Sequence, residues 1–384
     1  MDSHRLLFRL FRAALDGADP EAAVSRAVCR PDIARVLRGA GSVGIFAAGK
    51  AAAAMTRGAR SAGAVRTLTV LPRGHPARGL SPDDVVFASH PEPDASSVRA
   101  ARRALRFFES FGSGDVILCL VSGGASSLVA LPREGVRLAE KRRAVRALAR
   151  SGASILALNR LRTSLSAVKG GRLGQTTRAR LITLVLSDVP GDRAAAVGSG
   201  PTVRGRRGDI VRVVASNRAG LDAAAREARR LGWKVTRIGP RLSGQARAAG
   251  SRLARAASKL SCGSVLMAGG ETVVALGARH GNGGRCLELA LGAVLGLDGG
   301  VALLAAGSDG LDGTSGAAGA RVDGRTLGRA RRLGRDPETA LRHHDTGAFF
   351  AAVGGLFVTG PTGGNVGDWV FAARGARARR GRPI

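Results

Sequence analysis

Two apolar runs each stop on aspartate inside a glycine turn: LITLVLSDVPGD, with Asp188 and Asp192, and VALLAAGSDGLDG, with Asp309 and Asp312. A buried α/β strand reads as such a run, and open α/β sheets bind ligands outside the carboxyl ends of their strands. Both runs therefore aim carboxylates at a prospective site, among glycines that expose backbone. The combination suits Mg²⁺ carrying polyphosphate, because this ion keeps several waters and takes only one or two protein oxygens. The competing reading is that the aspartates cap the helices or turns that follow. Two strands ending alike weigh against it.

Cations and hydroxyls that could meet such a complex sit at other strand ends. Gly44 to Lys50 has the spacing GxxxxGK, although Ala51 stands where a phosphate loop needs Ser or Thr and the intervening residues are strand-like. A lysine at a strand-to-helix turn still meets phosphate as a point charge, helped by the helix amino terminus. SGGASS, Ser122 to Ser127, follows another apolar run. Its Gly123 and Gly124 let backbone N–H groups converge on an anion, and Ser122 and Ser126 add hydroxyls; the alternative is a plain tight turn. Neither GxSxG nor a Ser-His-Asp set presents itself among the six histidines, which disfavours nucleophilic hydrolysis. NRLRTSLSAVKGGRLG begins as a helix with Arg162 and Ser166 four apart, then delivers Lys169 and Arg172 around Gly-Gly. These cations could clamp a carboxylate or a transferred phosphoryl group, or merely complement a helix C-terminus. The polar turns SGPT, GGET, GNGGR and TGPTGGNVGD, the last with Asn365 and Asp368, are more than a scaffold requires.

Strand-like and helical runs alternate through most of the chain, the pattern of a parallel sheet with helices on both faces. Strands are expected at 42–49, 67–72, 85–89, 116–124, 181–188, 234–239, 264–270, 301–310 and 354–360, and helices at 95–111 and 243–259. The 384 residues suit two domains, with the boundary between the helix ending at Lys259 and the strand opening at Ser264. No apolar stretch approaches the roughly 18 to 20 residues that span a bilayer. The N-terminal run reads as an amphipathic helix rather than a signal peptide, so a cytoplasmic protein is expected. Cys29, Cys119, Cys262 and Cys286 lack metal or disulfide spacing.

The formal charge of +32 would ordinarily suggest nucleic acid. Arginine supplies nearly all of it, though, spread along helix faces such as Arg102, Arg103 and Arg106, or Arg142, Arg143 and Arg146. Tyrosine is absent and aromatics total 3%, whereas single-strand binding surfaces stack bases on aromatic platforms. Most of this charge reads as solvated surface; only the tail ARGARARRGRPI is a basic cluster.

Taken in order, AAGKAAAAM, SHPEPD, LVSGGASSLV, LNRLRTSLSAVKGGRLG, LVLSDVPGD with SGPT, GGET, SDGLDG with AAGA, and TGPTGGNVGD resemble the motifs of the glycerate 2-kinases with a C-terminal MOFRL domain, from about Phe8 to Ala373. The resemblance implies a Rossmann-like α/β/α larger domain, residues 1–260, and a smaller α/β MOFRL domain, residues 261–375, with an interdomain cleft and a basic tail, 376–384. It further implies phosphorylation of D-glycerate at the 2-hydroxyl by ATP with Mg²⁺. Lys50, Asp188, Arg162 and Lys169 become the catalytic candidates. Ser122, Gly123, Gly124, Ser126, Glu271 and Asn365 become nucleotide contacts, and Asp188, Asp309 and Asp312 metal ligands. The expected partner is a small hydroxy acid, with no specific nucleic acid and no membrane, and a homodimer left open.

Departures from the family pattern cluster in the second domain. Ser164 replaces a usual histidine, GGRCLE puts Cys286 and Leu287 at polar positions, and GNVGD carries Gly364 and Gly367 where the family has TNVND. GSDG replaces DTDG, and only Val203 to Ala215 separate SGPT from the next motif. Two other activities stay open on sequence: an NAD(P)H-dependent hydroxypyruvate reductase, for which no GxGxxG is found, and a noncatalytic polyanion binder.

Overall fold

Parallel strands covered on both faces have no reason to alternate polar and apolar residues, and those of the first sheet do not. β1 (Val43–Ala48) and β4 (Val116–Val121) are buried at every position, and β5 (Arg180–Ser187) at all but its first. They are joined by β2 (Arg66–Pro72), β3 (Val85–Ala88) and β6 (Ile210–Ser216) in an all-parallel sheet of order β3-β2-β1-β4-β5-β6. This is the doubly wound order expected from the alternation, with its direction of winding reversing between β1 and β4. The edge strand β6 exposes Val211 and Val213, so it carries little of the signal that betrays a central strand. Its apolar faces bury a cluster including Phe46 and Phe108, whose rings meet edge-on at 5.2 Å. Truncating Phe108 to Ala should cost about 3–5 kcal/mol.

The computed structural model describes residues 2–150, 155–239, 241–277 and 280–375. The basic tail 376–384 lies outside the described residues. No helix among the described residues is long and apolar enough to cross a membrane.

The second sheet corrects the expectation of parallel strands throughout. It is mixed, in the order β11-β10-β9-β12-β8-β7, from β7 (Lys234–Arg237), β8 (Ser264–Gly270), β9 (Val301–Gly307), β10 (Gly319–Asp323), β11 (Leu356–Phe357) and β12 (Asp368–Arg374). Only β7 and β8 pair in parallel; β12 lies between β8 and β9, antiparallel to both. β10 and β12 were not expected from sequence. A search for strands followed by helices passes over a β12 that no helix follows.

The chain divides into two compact units, and not at residue 260. One holds residues 19–216 and 363–366, the other 1–18, 217–362 and 367–384. Residues 217–260 belong with the second sheet because β7 is one of its strands and the helix Asn217–Arg230 packs against β8. The amphipathic helix Ser3–Gly17 joins that unit by burying Leu6, Leu7, Leu10, Phe11 and Ala14 against the same helix. Two glycines make this approach close. A Cβ on Gly17 would lie 2.3 Å from that of Ala223, and one on Gly220 would lie 2.3 Å from the Trp369 ring.

Candidate functional site

The switch in winding between β1 and β4 leaves a crevice at their carboxyl ends, and three loops meet there. The Lys50 N–H donates to the Gly123 carbonyl at 2.9 Å, and the Ser122 N–H to the Ala48 carbonyl at 3.0 Å. The Ser122 hydroxyl, wholly buried, accepts from the Ala51 N–H at 3.2 Å. Ser122 therefore locks the loop after β4 to the start of the helix Ala52–Gly58, a structural duty rather than the expected nucleotide contact. Gly49 is required at this junction: it holds φ of 132°, and a Cβ there would lie 2.1 Å from the Ser122 Oγ. From the next strand, β5, Asp188 packs against Gly123 so closely that a Cβ on that glycine would lie 2.0 Å from Oδ2. Lys50, Ser122, Gly123, Gly124 and Asp188 are thus brought together, as the sequence anticipates.

Two histidines join them that the sequence reading set aside. A Cβ on Gly124 would meet His90 Nε2 at 3.3 Å and Lys50 Cγ at 3.4 Å. Burial and then the Lys50 ammonium push the His90 imidazole down to about 4, and the same two causes lower His75. Both rings are consequently neutral near pH 7 beside a lysine.

Adjoining this crevice is a cavity of about 450 Å³ lined by His90, Ser126, Lys141, Arg162 and Lys169 among others. The Lys169 side chain is buried and its Nζ donates to the Ser126 carbonyl at 2.5 Å and to its hydroxyl at 2.6 Å. That hydroxyl lies 3.2 Å from the Ser199 hydroxyl, on a residue with φ of 61°. Burial, followed by repulsion from Lys141 and Arg162, lowers the Lys169 amine well below its ordinary range. Arg162, lowered by burial, donates to Asn159 Oδ1 at 3.2 Å. Glu92 also lines the cavity, but Arg142 at 2.7 Å and Arg146 at 2.6 Å already hold it. Those two arginines therefore face a cavity rather than forming the solvated surface expected of them. Cations converging without a free carboxylate call for an anion from solution.

Lys141 was missed because its helix, Leu138–Arg150, reads as a charged surface. The signal was present in composition: in an arginine-rich chain it is one of five lysines, as are Lys50 and Lys169.

The expected residues of the second sheet form a separate group in their own unit. Asp312 accepts from the Cys286 N–H at 3.1 Å and the Leu287 N–H at 2.8 Å, capping the helix Arg285–Val294. Burial raises its carboxyl to about 6, against the lowering effect of those two amides. This is the capping role that the sequence left as the alternative to metal binding. Cys286 and Leu287 present backbone amides to Asp312 while their side chains are buried in the core, so their departure from polar residues leaves that cap intact. Asp309 Oδ1 accepts from the Leu311 N–H at 3.2 Å, a local turn bond. Glu271 pairs with Arg285 at 2.8 Å, and Arg285 grips the buried Asp368 through two nitrogens at 2.6 and 2.8 Å. Arg285 and Asp368 were not proposed as site residues from the sequence. Gly367, with φ of 88°, occupies a conformation that asparagine tolerates too, which accommodates that departure. Asn365 lies in the segment 363–366 that groups with the first sheet.

Comparison with known proteins agrees with this anatomy. The profile of a domain of unknown function (DUF4147) matches residues 6–230, and that of the MOFRL family matches residues 264–368. Glycerate 2-kinase of Pyrococcus horikoshii is 33% identical over all of this chain and 99% of its own length. A protein of Agrobacterium vitis, provisionally named a hydroxypyruvate reductase, is 34% identical over 96% of this chain and 94% of its own. The crystal structure of glycerate kinase from Thermotoga maritima superposes with a TM-score of 0.86 at 31% identity, covering 96% of this chain and 99% of that one. The chain belongs to the glycerate 2-kinase family, with its DUF4147 and MOFRL domains in sequence.

Proposed function

We propose that the protein transfers the terminal phosphoryl group of ATP to the 2-hydroxyl of D-glycerate, giving 2-phosphoglycerate and ADP. The observation that carries this reading is the convergence of Lys50, the Gly123–Gly124 turn and Asp188 at the switch point, beside a cavity lined by Arg162 and Lys169. Phosphoryl transfer passes through a loose transition state whose charge spreads over the equatorial oxygens, so positioning and positive charge do most of the work. Lys50 meets the phosphates as a point charge while the glycine turn lets backbone approach them. Asp188 orients the acceptor hydroxyl. Arg162 and Lys169 hold the substrate's carboxylate or the phosphoryl group in transit.

Mg²⁺ fits these residues in the manner of a nucleotide-borne ion. Among the described residues no group of three or more His, Cys, Asp or Glu could hold a metal by itself, whereas Mg²⁺ bound through phosphate needs only one or two carboxylates. Asp188 would hold it with Asp192, whose Oδ1 is buried without a partner; when bound it neutralises charge on the phosphates. Dependence on ATP also supports a cytoplasmic location.

The test is phosphorus NMR of products formed from ATP, Mg²⁺ and D-glycerate. A 2-phosphoglycerate resonance is expected. Formation of the 3-phosphate overturns the regiochemistry, and reduction of hydroxypyruvate by NADH without ATP turnover overturns the kinase reading.

A further inference from the structure

Helix Leu138–Arg150 directs Lys141, Val145 and Ala149 into the cavity of about 450 Å³, four residues apart and so along one face. Lys141 is 3% exposed, and its Nζ is buried with no hydrogen-bond partner among the described residues. An ammonium group carries three donors, and leaving all of them unmet in the interior is costly. The surroundings make the cost larger. Arg162 faces it from the helix Ile155–Ser164, Lys169 from the segment beyond, His90 from the loop after β3, and Arg142 and Arg146 from its own helix. Glu92, the carboxylate that lines the cavity, is already taken by those two arginines. Lys169 directs its own hydrogen bonds to Ser126. Nothing here repays Lys141 for its burial; an anion from solution would.

The reaction proposed above brings two anionic groups into this unit, the polyphosphate and the acid's carboxylate. Lys50 and the glycine turn suit the first. The end of the cavity at Lys141 offers cations on helix sides next to apolar Val145 and Ala149, a wall for a short carbon chain ending in a carboxylate.

We propose that Lys141 recognises the carboxylate of the acceptor acid, pairing with Arg162 to set the enzyme's preference for short 2-hydroxy acids. This rests on the glycerate kinase reading. Burial and then Arg162 lower the Lys141 amine to about 8. The free enzyme therefore loses this cation, and with it affinity for the acid, as pH rises through about 8.

The experiment measures initial rates of the full chain and of Lys141→Met and Lys141→Arg from pH 6.5 to 9.5, with thermal midpoints in the absence of substrate. At neutral pH, Lys141→Met should raise KM for D-glycerate about tenfold or more, change KM for ATP less than about twofold, and keep or raise the thermal midpoint. A purely structural lysine would lower the midpoint and leave KM alone. Lys141→Arg, always charged, should keep KM near the wild-type value and abolish its rise above pH 8. Unchanged KM for glycerate in Lys141→Met, a rise confined to ATP, or an alkaline rise that persists in Lys141→Arg each overturns the assignment. Absence of glycerate phosphorylation by the wild type overturns the parent reading as well, and is distinguished by appearing before any substitution is made.

Discussion

The Asp188 carboxylate rests directly on Gly123: a side chain begun there would place its first carbon 2.0 Å from Oδ2. Gly123 is not among the glycines with positive φ, so alanine suits its backbone and conflicts chiefly with Asp188. Gly123→Ala should therefore move the carboxylate without unfolding the sheet. A displacement of about 1 Å at a reacting group costs on the order of 10²-fold in rate. Expected is a kcat about a hundredfold lower with a thermal midpoint near wild type. A normal kcat would mean that the position of Asp188 does not matter to the chemistry.

Lys50→Ala and Asp188→Asn remove the two charges that the switch point brings together. Each should lower kcat by about 10²- to 10³-fold, the scale of losing one preorganised electrostatic group. Because the Lys50 backbone, and not its side chain, makes the bond to Gly123, Lys50→Ala should keep its fold by circular dichroism. Near-normal turnover in both variants contradicts the site.

The sheet that carries these residues was legible because β1, β4 and β5 are buried on both faces and so read as unbroken apolar runs. Lys50 and Asp188 were legible for a related reason: a charge at the end of such a run has no packing role to explain it. Ser122 misled, since its hydroxyl could serve a ligand or another turn, and only the fold reveals that it meets Ala51 across 71 residues. Lys141 was hidden because a lysine on an arginine-rich helix looks solvated until the helix is placed. Asp312 looked like Asp188 in sequence yet caps a helix that begins 27 residues before it, at Arg285. A carboxylate at a strand end thus announces a polar role without saying whether the partner is protein or ligand.

Asp312→Ala separates these roles. Losing both cap acceptors should destabilise the protein by about 1–2 kcal/mol, the ordinary value of a helix cap, seen as a lower denaturation midpoint. The Mg²⁺ concentration giving half-maximal rate should stay where it is. A large increase in that requirement at unchanged stability would return Asp312 to the metal.

His90 makes the fold sensitive to mild acid. Its folded value of about 4 lies below the ordinary 6.5, so the unfolded chain binds the proton more readily. Stability is then fully present above pH 6.5 and is lost as pH falls toward 4. A full shift of this size would be worth about 3 kcal/mol, and partial solvent access reduces it to roughly 1–2 kcal/mol. The window lies largely above that of the paired carboxylates, which are held below their ordinary values at Asp32, Asp94 and Asp298. His75, lowered by the same causes, adds to the slope without replacing it. Urea denaturation between pH 7 and 4.5 should show this loss in the wild type and a shallower one in His90→Asn, which cannot take up the proton. Equal slopes in the two proteins would mean that the His90 ring is already solvated, and that Lys50 does not approach it closely enough to matter.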